Sequence, residues 1–165
     1  MVPGNESGRI VGWVVRASGA VPRPVGSVLL AGEAASAKPI YAGMFGIAED
    51  QVATSGLAED ADSHWDFEQP PPGDIGPFDC IVSYAILEHL TDPFGHVRDL
   101  AGLLAERGEL IIYTVTPGFP YHRHPVDCQR FFPDWFEGTA RRLNLEVKDA
   151  WLGDDHIVYR LARAT

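Results

Sequence analysis

The segment with the densest chemistry is Phe119-Pro120-Tyr121-His122-Arg123-His124-Pro125-Val126-Asp127-Cys128-Gln129-Arg130-Phe131. It gathers two histidines, an aspartate and two arginines in a short stretch braced by prolines. Imidazole is the side chain whose ordinary pKa lies near neutrality, so His122 or His124 suits removal of a proton from the hydroxyl of a bound molecule. Asp127 completes that catalytic set. Arg123 and Arg130 suit the orientation of a carboxylate, phosphate or polyhydroxyl group, with Tyr121 beside them as a third substrate-binding residue. The same residues carry two other readings. Asp127 and Arg130 can pair internally and brace the loop while Phe131 and Phe132 anchor it in the core. His122, His124 and Asp127 also offer the imidazole and carboxylate ligands of a divalent metal site. Loop histidines are commonly not ligands, so no metal residue is assigned.

Positioning such a loop requires strands and helices, and the hydrophobic pattern supplies them. Residues 27–32 (SVLLAG), 51–57 (QVATSGL), 78–83 (FDCIVS) and 109–115 (ELIIYTV) read as strands. Residues 34–46 read as a helix broken by Pro39 and Gly43. Residues 58–72, acidic and then proline-rich, read as loop. Leu87, Leu90, Phe94, Val97, Leu100 and Leu104 fall near one helical face. Pro93 sets the true helix start, with Asp92 as its N-cap and Gly108 as its stop. Residues 133–143 read as another helix opened by a proline. Residues 145–152 and 157–162 read as strands joined by a Gly153-Asp154-Asp155 hairpin turn. Strands alternating with helices and closing on a hairpin predict an α/β fold. It is a three-layer αβα, Rossmann-like sheet, mostly parallel with an antiparallel last strand. Ligands of such sheets bind outside the carboxyl ends of the strands. The chain divides into an N-terminal arm, 1–26, and a single domain, 27–165.

The bulk numbers narrow the partners. The 165 residues carry 13 Lys and Arg against 23 Asp and Glu, a formal net charge of −10. No basic block exists to neutralise phosphates, which excludes nucleic acid as the expected partner. No apolar run is long enough to span a bilayer, and residues 1–8 lack the pattern of a secretory signal. Cys80 and Cys128 form no CxxC pair and read as free thiols, so a cytoplasmic setting is expected.

The run Phe78-Asp79-Cys80-Ile81-Val82-Ser83-Tyr84-Ala85-Ile86-Leu87-Glu88-His89-Leu90 resembles the fourth-strand motif of class I S-adenosylmethionine-dependent methyltransferases. In that family a Phe-Asp strand leads into Leu-Glu-His, and a glycine turn opens the fifth strand one helix later. Here that turn and strand are Arg107-Gly108-Glu109-Leu110-Ile111-Ile112, and the terminal hairpin resembles the family's last two strands. The likeness covers roughly the last two thirds of the chain. In the family a glycine-rich loop follows the first strand. The corresponding Leu29-Leu30-Ala31-Gly32-Glu33-Ala34-Ala35-Ser36 keeps one glycine, followed by small residues.

The resemblance implies S-adenosyl-L-methionine as cofactor. It places Gly32 and Glu33 in the first loop, Tyr84 and Ala85 at the exit of the fourth strand, and Glu59 or Asp60 on the ribose hydroxyls. Asp66 would meet the adenine amine and Phe67 would pack on the ring. His89 is a second base candidate, or braces the strand exit. The 119–131 loop itself resembles a segment of small methyltransferases of sugar-modification pathways. The resemblance thus implies methyl transfer to a hydroxyl of a small polar, sugar-containing acceptor. That acceptor is held by the arm and the loop or presented by a second subunit, as in a homodimer. A catalytically inactive methyltransferase-like binding or scaffold subunit is the competing expectation, prompted by the reduced glycine loop. A Rossmann-like oxidoreductase is disfavoured because no Gly-x-Gly-x-x-Gly follows the first strand.

Overall fold

The structure is a computed structural model that describes residues 6–123 and 125–164. Seven strands form one sheet in the order β3-β2-β1-β4-β5-β7-β6. They are β1 (Val28–Ala31), β2 (Val52–Gly56), β3 (Ser63–His64), β4 (Phe78–Tyr84), β5 (Leu104–Val115), β6 (Leu145–Gly153) and β7 (His156–Arg163). All neighbours are parallel except that β7 runs antiparallel to both β5 and β6. This is the α/β sheet with an antiparallel last strand that the alternating pattern predicts.

The central strands are apolar on both faces because helices cover both faces. Leu29, Ile81, Leu110 and Ile112 point into one core, closed by α3 (Pro93–Gly102) and α4 (Pro133–Arg142) through Val97, Leu100, Phe136 and Ala140. Val28, Leu30, Cys80, Val82 and Ile111 point into the other, closed by α1 (Glu6–Ala20) and α2 (Lys38–Phe45). Val14 and Ala17 of α1 are fully buried there. The segment 1–26, expected as an arm, therefore carries a helix that is part of one layer of the domain.

Other boundaries move for local reasons. Residues 34–46 hold a 3₁₀ turn, Ala35–Ala37, and then α2, which Pro39 opens rather than interrupts. The 58–72 segment, expected as loop, contributes the edge strand β3. Asp92 caps α3 as expected: Gly95 N donates to Asp92 Oδ1 at 2.9 Å. Residues 87–89 form a separate 3₁₀ turn. Gly108 is not the stop of α3. It lies inside β5, where the register against Phe78 and Cys80 shifts, and a Cβ there would come within 2.8 Å of the Phe78 carbonyl oxygen. The closing hairpin turns through Asp154 and Asp155, both with positive φ (50° and 64°), as a two-residue turn matched to strand twist requires.

One part-buried charge network, with Glu109 at its buried end, stitches the antiparallel side. The Arg160 guanidinium on β7 donates to Glu109 Oε2 of β5 at 2.5 Å and, through Nε, to Asp149 Oδ2 of β6 at 2.8 Å. Arg160→Met should destabilise the fold by about 3 kcal/mol, because it strands the Glu109 carboxylate without a partner. Arg160→Met combined with Glu109→Met should recover most of that loss. Urea unfolding of the three proteins checks both.

Candidate active site

The parallel strands deliver their carboxyl ends to one edge. β1 passes into Gly32 with φ +93°, β2 ends at Gly56 with φ +154°, and β4 passes into Ala85 with φ +53°. Gly32 N donates to Ser55 O at 2.8 Å and Ala85 N to Tyr113 O at 3.0 Å, so the turn starts are pinned to neighbouring strands. A Cβ at Gly56 would lie 3.4 Å from Gly32 Cα and 3.6 Å from Phe67 Cζ, and a Cβ at Gly32 would lie 2.2 Å from Ile86 Cδ1. Gly32 thus stands in the cavity wall with Ile86 packed over it and Phe67 beside it. Gly56, against Gly32, went unrecognised in the sequence within the loosely alternating 51–57 strand.

The cavity has a volume of about 610 Å³. That is within the range of roughly 300–1,000 Å³ typical of small-molecule sites. Gly32, Ala85 and Ile86 form its floor, Leu57, Asp66 and Phe67 one end, and His89, His122 and Val126 the other. It therefore brings together six expected site residues from four separate segments: Gly32, Asp66, Phe67, Ala85, His89 and His122. Phe67 is fixed against the rings of Trp65 and His96, at 4.9 and 4.6 Å between centroids. His96, on α3, was not picked out from the sequence. It is buried, which pushes its pKa down to about 3 and keeps it neutral, and its Nε2 lies 3.5 Å from Ser83 Oγ.

Other expected residues lie elsewhere. Glu33 and Tyr84 turn to the opposite side of the same strand ends, into a second cavity of about 270 Å³ between α1 and α2. Burial pushes Glu33 up, opposed by a 3.5 Å hydrogen bond from Tyr41 Oη. Burial, reinforced by Glu33 and Glu88, pushes the Tyr84 phenol up. Glu59 and Asp60 are exposed and do not line the large cavity. The engaged acid of that loop is Asp62, which accepts from Thr54 N and Lys38 Nζ, both at 2.7 Å. Desolvation opposes those bonds, but they hold its carboxyl below the ordinary range.

The 116–131 loop closes over the histidine end. Arg130 donates to both Asp127 oxygens, to Phe119 O at 3.2 Å, to Pro120 O at 3.0 Å and to Gln129 O at 2.9 Å. Every guanidinium nitrogen is in use, so Arg130 braces the loop and does not face an acceptor. Asp127 also accepts from His122 N at 2.7 Å. The Arg130 guanidinium holds the Asp127 carboxyl far below the usual carboxylate range, which suits a brace and not a base. His122 Nδ1 lies 3.4 Å from Asp127 Oδ2. Arg123 Nε turns back onto Pro125 O at 3.0 Å, and Tyr121 is exposed. His124 lies outside the described residues.

Glu88, also unmarked in the sequence, organises the same end. Its carbonyl accepts from Cys128 N at 2.8 Å, and its buried carboxylate accepts from Thr114 Oγ1 at 2.6 Å. His89 Nδ1 lies 2.5 Å from Val126 O, which makes Nδ1 the protonated nitrogen and leaves Nε2 with its lone pair. Glu88, His89 and His122 each present a ligand-type atom, all within 4.8 Å of one another. Of the His122, His124 and Asp127 set expected from spacing, Asp127 is engaged by Arg130 through both oxygens and His124 lies outside the described residues. Among the described residues, no helix is long and apolar enough to cross a membrane.

Gly32 and Ala85 at the carboxyl ends of β1 and β4 line the same cavity as Phe67, whose planar ring fits the adenine of S-adenosylmethionine. Neither a protein-family profile nor a curated protein sequence matches the chain. Solved structures do. The S-adenosylmethionine-dependent methyltransferase of Mesorhizobium loti superposes with a TM-score of 0.70 at 14% identity, over 95% of this chain and 99% of that one. A protein in complex with the Trm112 methyltransferase activator of Haloferax volcanii gives 0.68 at 14%, over 96% and 94%. Magnesium protoporphyrin IX methyltransferase of Synechocystis, with bound S-adenosylmethionine, gives 0.59 at 16%, over 95% and 77%. At these identities the likeness is one of architecture: the chain has the class I methyltransferase fold.

Proposed function

We propose that the protein is a cytoplasmic S-adenosylmethionine-dependent methyltransferase acting on a hydroxyl of a small polar, sugar-containing acceptor. The observation that carries this reading is the single cavity joining Gly32, Ala85 and Phe67 to His89 and His122. In this reading the backbone at Gly32, Gly56 and Ala85 receives the amino-acid and ribose parts of the cofactor, and Phe67 and Asp66 receive the adenine. When bound, S-adenosylmethionine supplies a methyl carbon activated by a sulfonium. The chain's own task is to hold the acceptor oxygen in line and to take its proton. The cluster at the histidine end does the second, and His122 is nearest the loop that would cover the acceptor. Tyr121 and Arg123, on that loop, are proposed to contact the acceptor, as is His124 from its place in the sequence between them and Asp127. The net charge of −10 disfavours a nucleic-acid acceptor.

One observation favours a second reading, a non-catalytic partner subunit. The Ile86 side chain packs over Gly32, where the cofactor would approach. A structural neighbour is also bound to an activator protein. Calorimetric titration with S-adenosylmethionine and S-adenosylhomocysteine separates the two. The enzyme reading predicts micromolar binding and a loss of at least about tenfold in Gly32→Val. Absence of binding to either ligand supports the partner subunit. With an acceptor in hand, His122→Ala should lower turnover by roughly 10²–10⁴-fold while leaving cofactor affinity unchanged. Unchanged turnover would remove His122 from the chemistry.

A further inference from the structure

We propose that Glu88, His89 and His122 form a site for one divalent transition-metal ion at the acceptor end of the large cavity. Two imidazoles and one carboxylate are a ligand set suited to zinc, iron(II), cobalt or manganese, and three protein ligands leave positions open for a second molecule. Calcium and magnesium, which take oxygen ligands, fit it less well.

Three features go beyond mere proximity. First, the outer shell is already built. His89 Nδ1 is tied to Val126 O at 2.5 Å, which directs Nε2 to a point 3.9 Å from Glu88 Oε1. Thr114 Oγ1 occupies Glu88 Oε2 at 2.6 Å and leaves Oε1 as the free donor atom. Asp127, itself held by Arg130, accepts the His122 backbone N–H at 2.7 Å and so fixes where that residue leaves the loop. Metal-ligating histidines characteristically have such second partners, which fix tautomer and ring orientation. Second, Glu88 is 1% exposed, and burial of a carboxylate is costly unless a positive charge compensates it. No arginine or lysine pairs with it among the described residues. Third, His122 Nδ1 is buried without a hydrogen-bond partner among the described residues, in a ring that adjoins His89 at 5.0 Å.

The triangle must contract, because ligand atoms about 2.0–2.2 Å from one ion lie roughly 3 Å apart. The present spread is up to 4.8 Å. His122 sits on the 116–131 loop, so a small inward shift of that loop closes it. His89 and His122 line the cavity, so the open positions of the ion face a bound molecule. The ion's use, though not its binding, rests on the methyl-transfer reading: with metal bound, His89 and His122 serve as ligands in place of the base role, a hydroxyl coordinated there becomes more acidic, and its proton passes to solvent.

The test uses the full chain, stripped with a chelator and titrated with Co²⁺ by visible absorption and with Zn²⁺ by calorimetry. One equivalent of each should bind. Glu88→Gln and His89→Gln should each weaken binding at least about tenfold, and His64→Ala, an exposed histidine on the edge strand β3, should stay within about twofold of the parent. Circular dichroism guards against misfolding of Glu88→Gln, and His89→Gln, at a less buried position, keeps the test decisive. No binding to the parent chain, parent-like binding in both variants, or equal loss in His64→Ala would overturn the proposal. S-adenosylhomocysteine titration of the same stripped sample keeps the two readings separate. Retained cofactor binding without metal binding sinks the metal site alone, and the reverse sinks the methyl-transfer reading alone.

Discussion

The histidine end of the site hangs on Glu88. Its backbone carbonyl receives the amide of Cys128, and its buried carboxylate receives the hydroxyl of Thr114. One residue therefore ties the turn after β4 to both the strand β5 and the loop that follows it. The same loop is held further by Phe131, whose amide donates to Val115 O at 3.1 Å and whose ring is buried against Trp135 and Phe136, and by Gln129 Nε2, which donates to Leu90 O at 2.8 Å. Burying an acid at this junction costs free energy that an apolar residue would not. The return is geometric: it sets His89 and His122 side by side at the cavity mouth.

A division of labour follows among the charged groups of the loop. Arg130 and Asp127 consume one another and the nearby carbonyls, and in doing so they stiffen the segment that carries His122. The imidazoles are left as the groups with unspent capacity. At the other end of the cavity the wall is apolar: Ile86 packs over Gly32, and Phe67 is locked by Trp65 and the neutral His96. A flat apolar wall at one end, and proton- or cation-binding groups at the other, match a ligand that is itself two-ended.

The sheet was legible because its signals are local. The 78–83 and 109–115 runs are rich in apolar and β-branched residues, and Asp92-Pro93 is a helix start by its chemistry alone. Gly108 misled because a glycine that stops a helix and one that fits a bulge look alike in sequence; only the pairing of β5 with Phe78 distinguishes them. Within the site, residue types were legible and partnerships were not. Asp127 and Arg130 stand three positions apart, as close to one another as either is to a histidine, and the pairing that won is set by the fold of the loop. Glu33 and Tyr84 were expected beside Gly32 and Ala85, yet consecutive residues at a strand end point to opposite faces. Glu88 was passed over because its burial depends on Thr114 from another strand. Glu59 and Asp60 point to solvent, and the turn into β3 brings Asp62 to Thr54 in their place.

The central claim is that the cavity between Gly32 and His122 holds S-adenosylmethionine. The most direct measurement is a crystal structure of the full chain grown with S-adenosylhomocysteine. The account predicts the ligand along the carboxyl ends of β1, β2 and β4, its adenine against Phe67, and the Ile86 side chain rotated away from Gly32. An empty cavity at saturating ligand, with Ile86 still seated on Gly32, would contradict it.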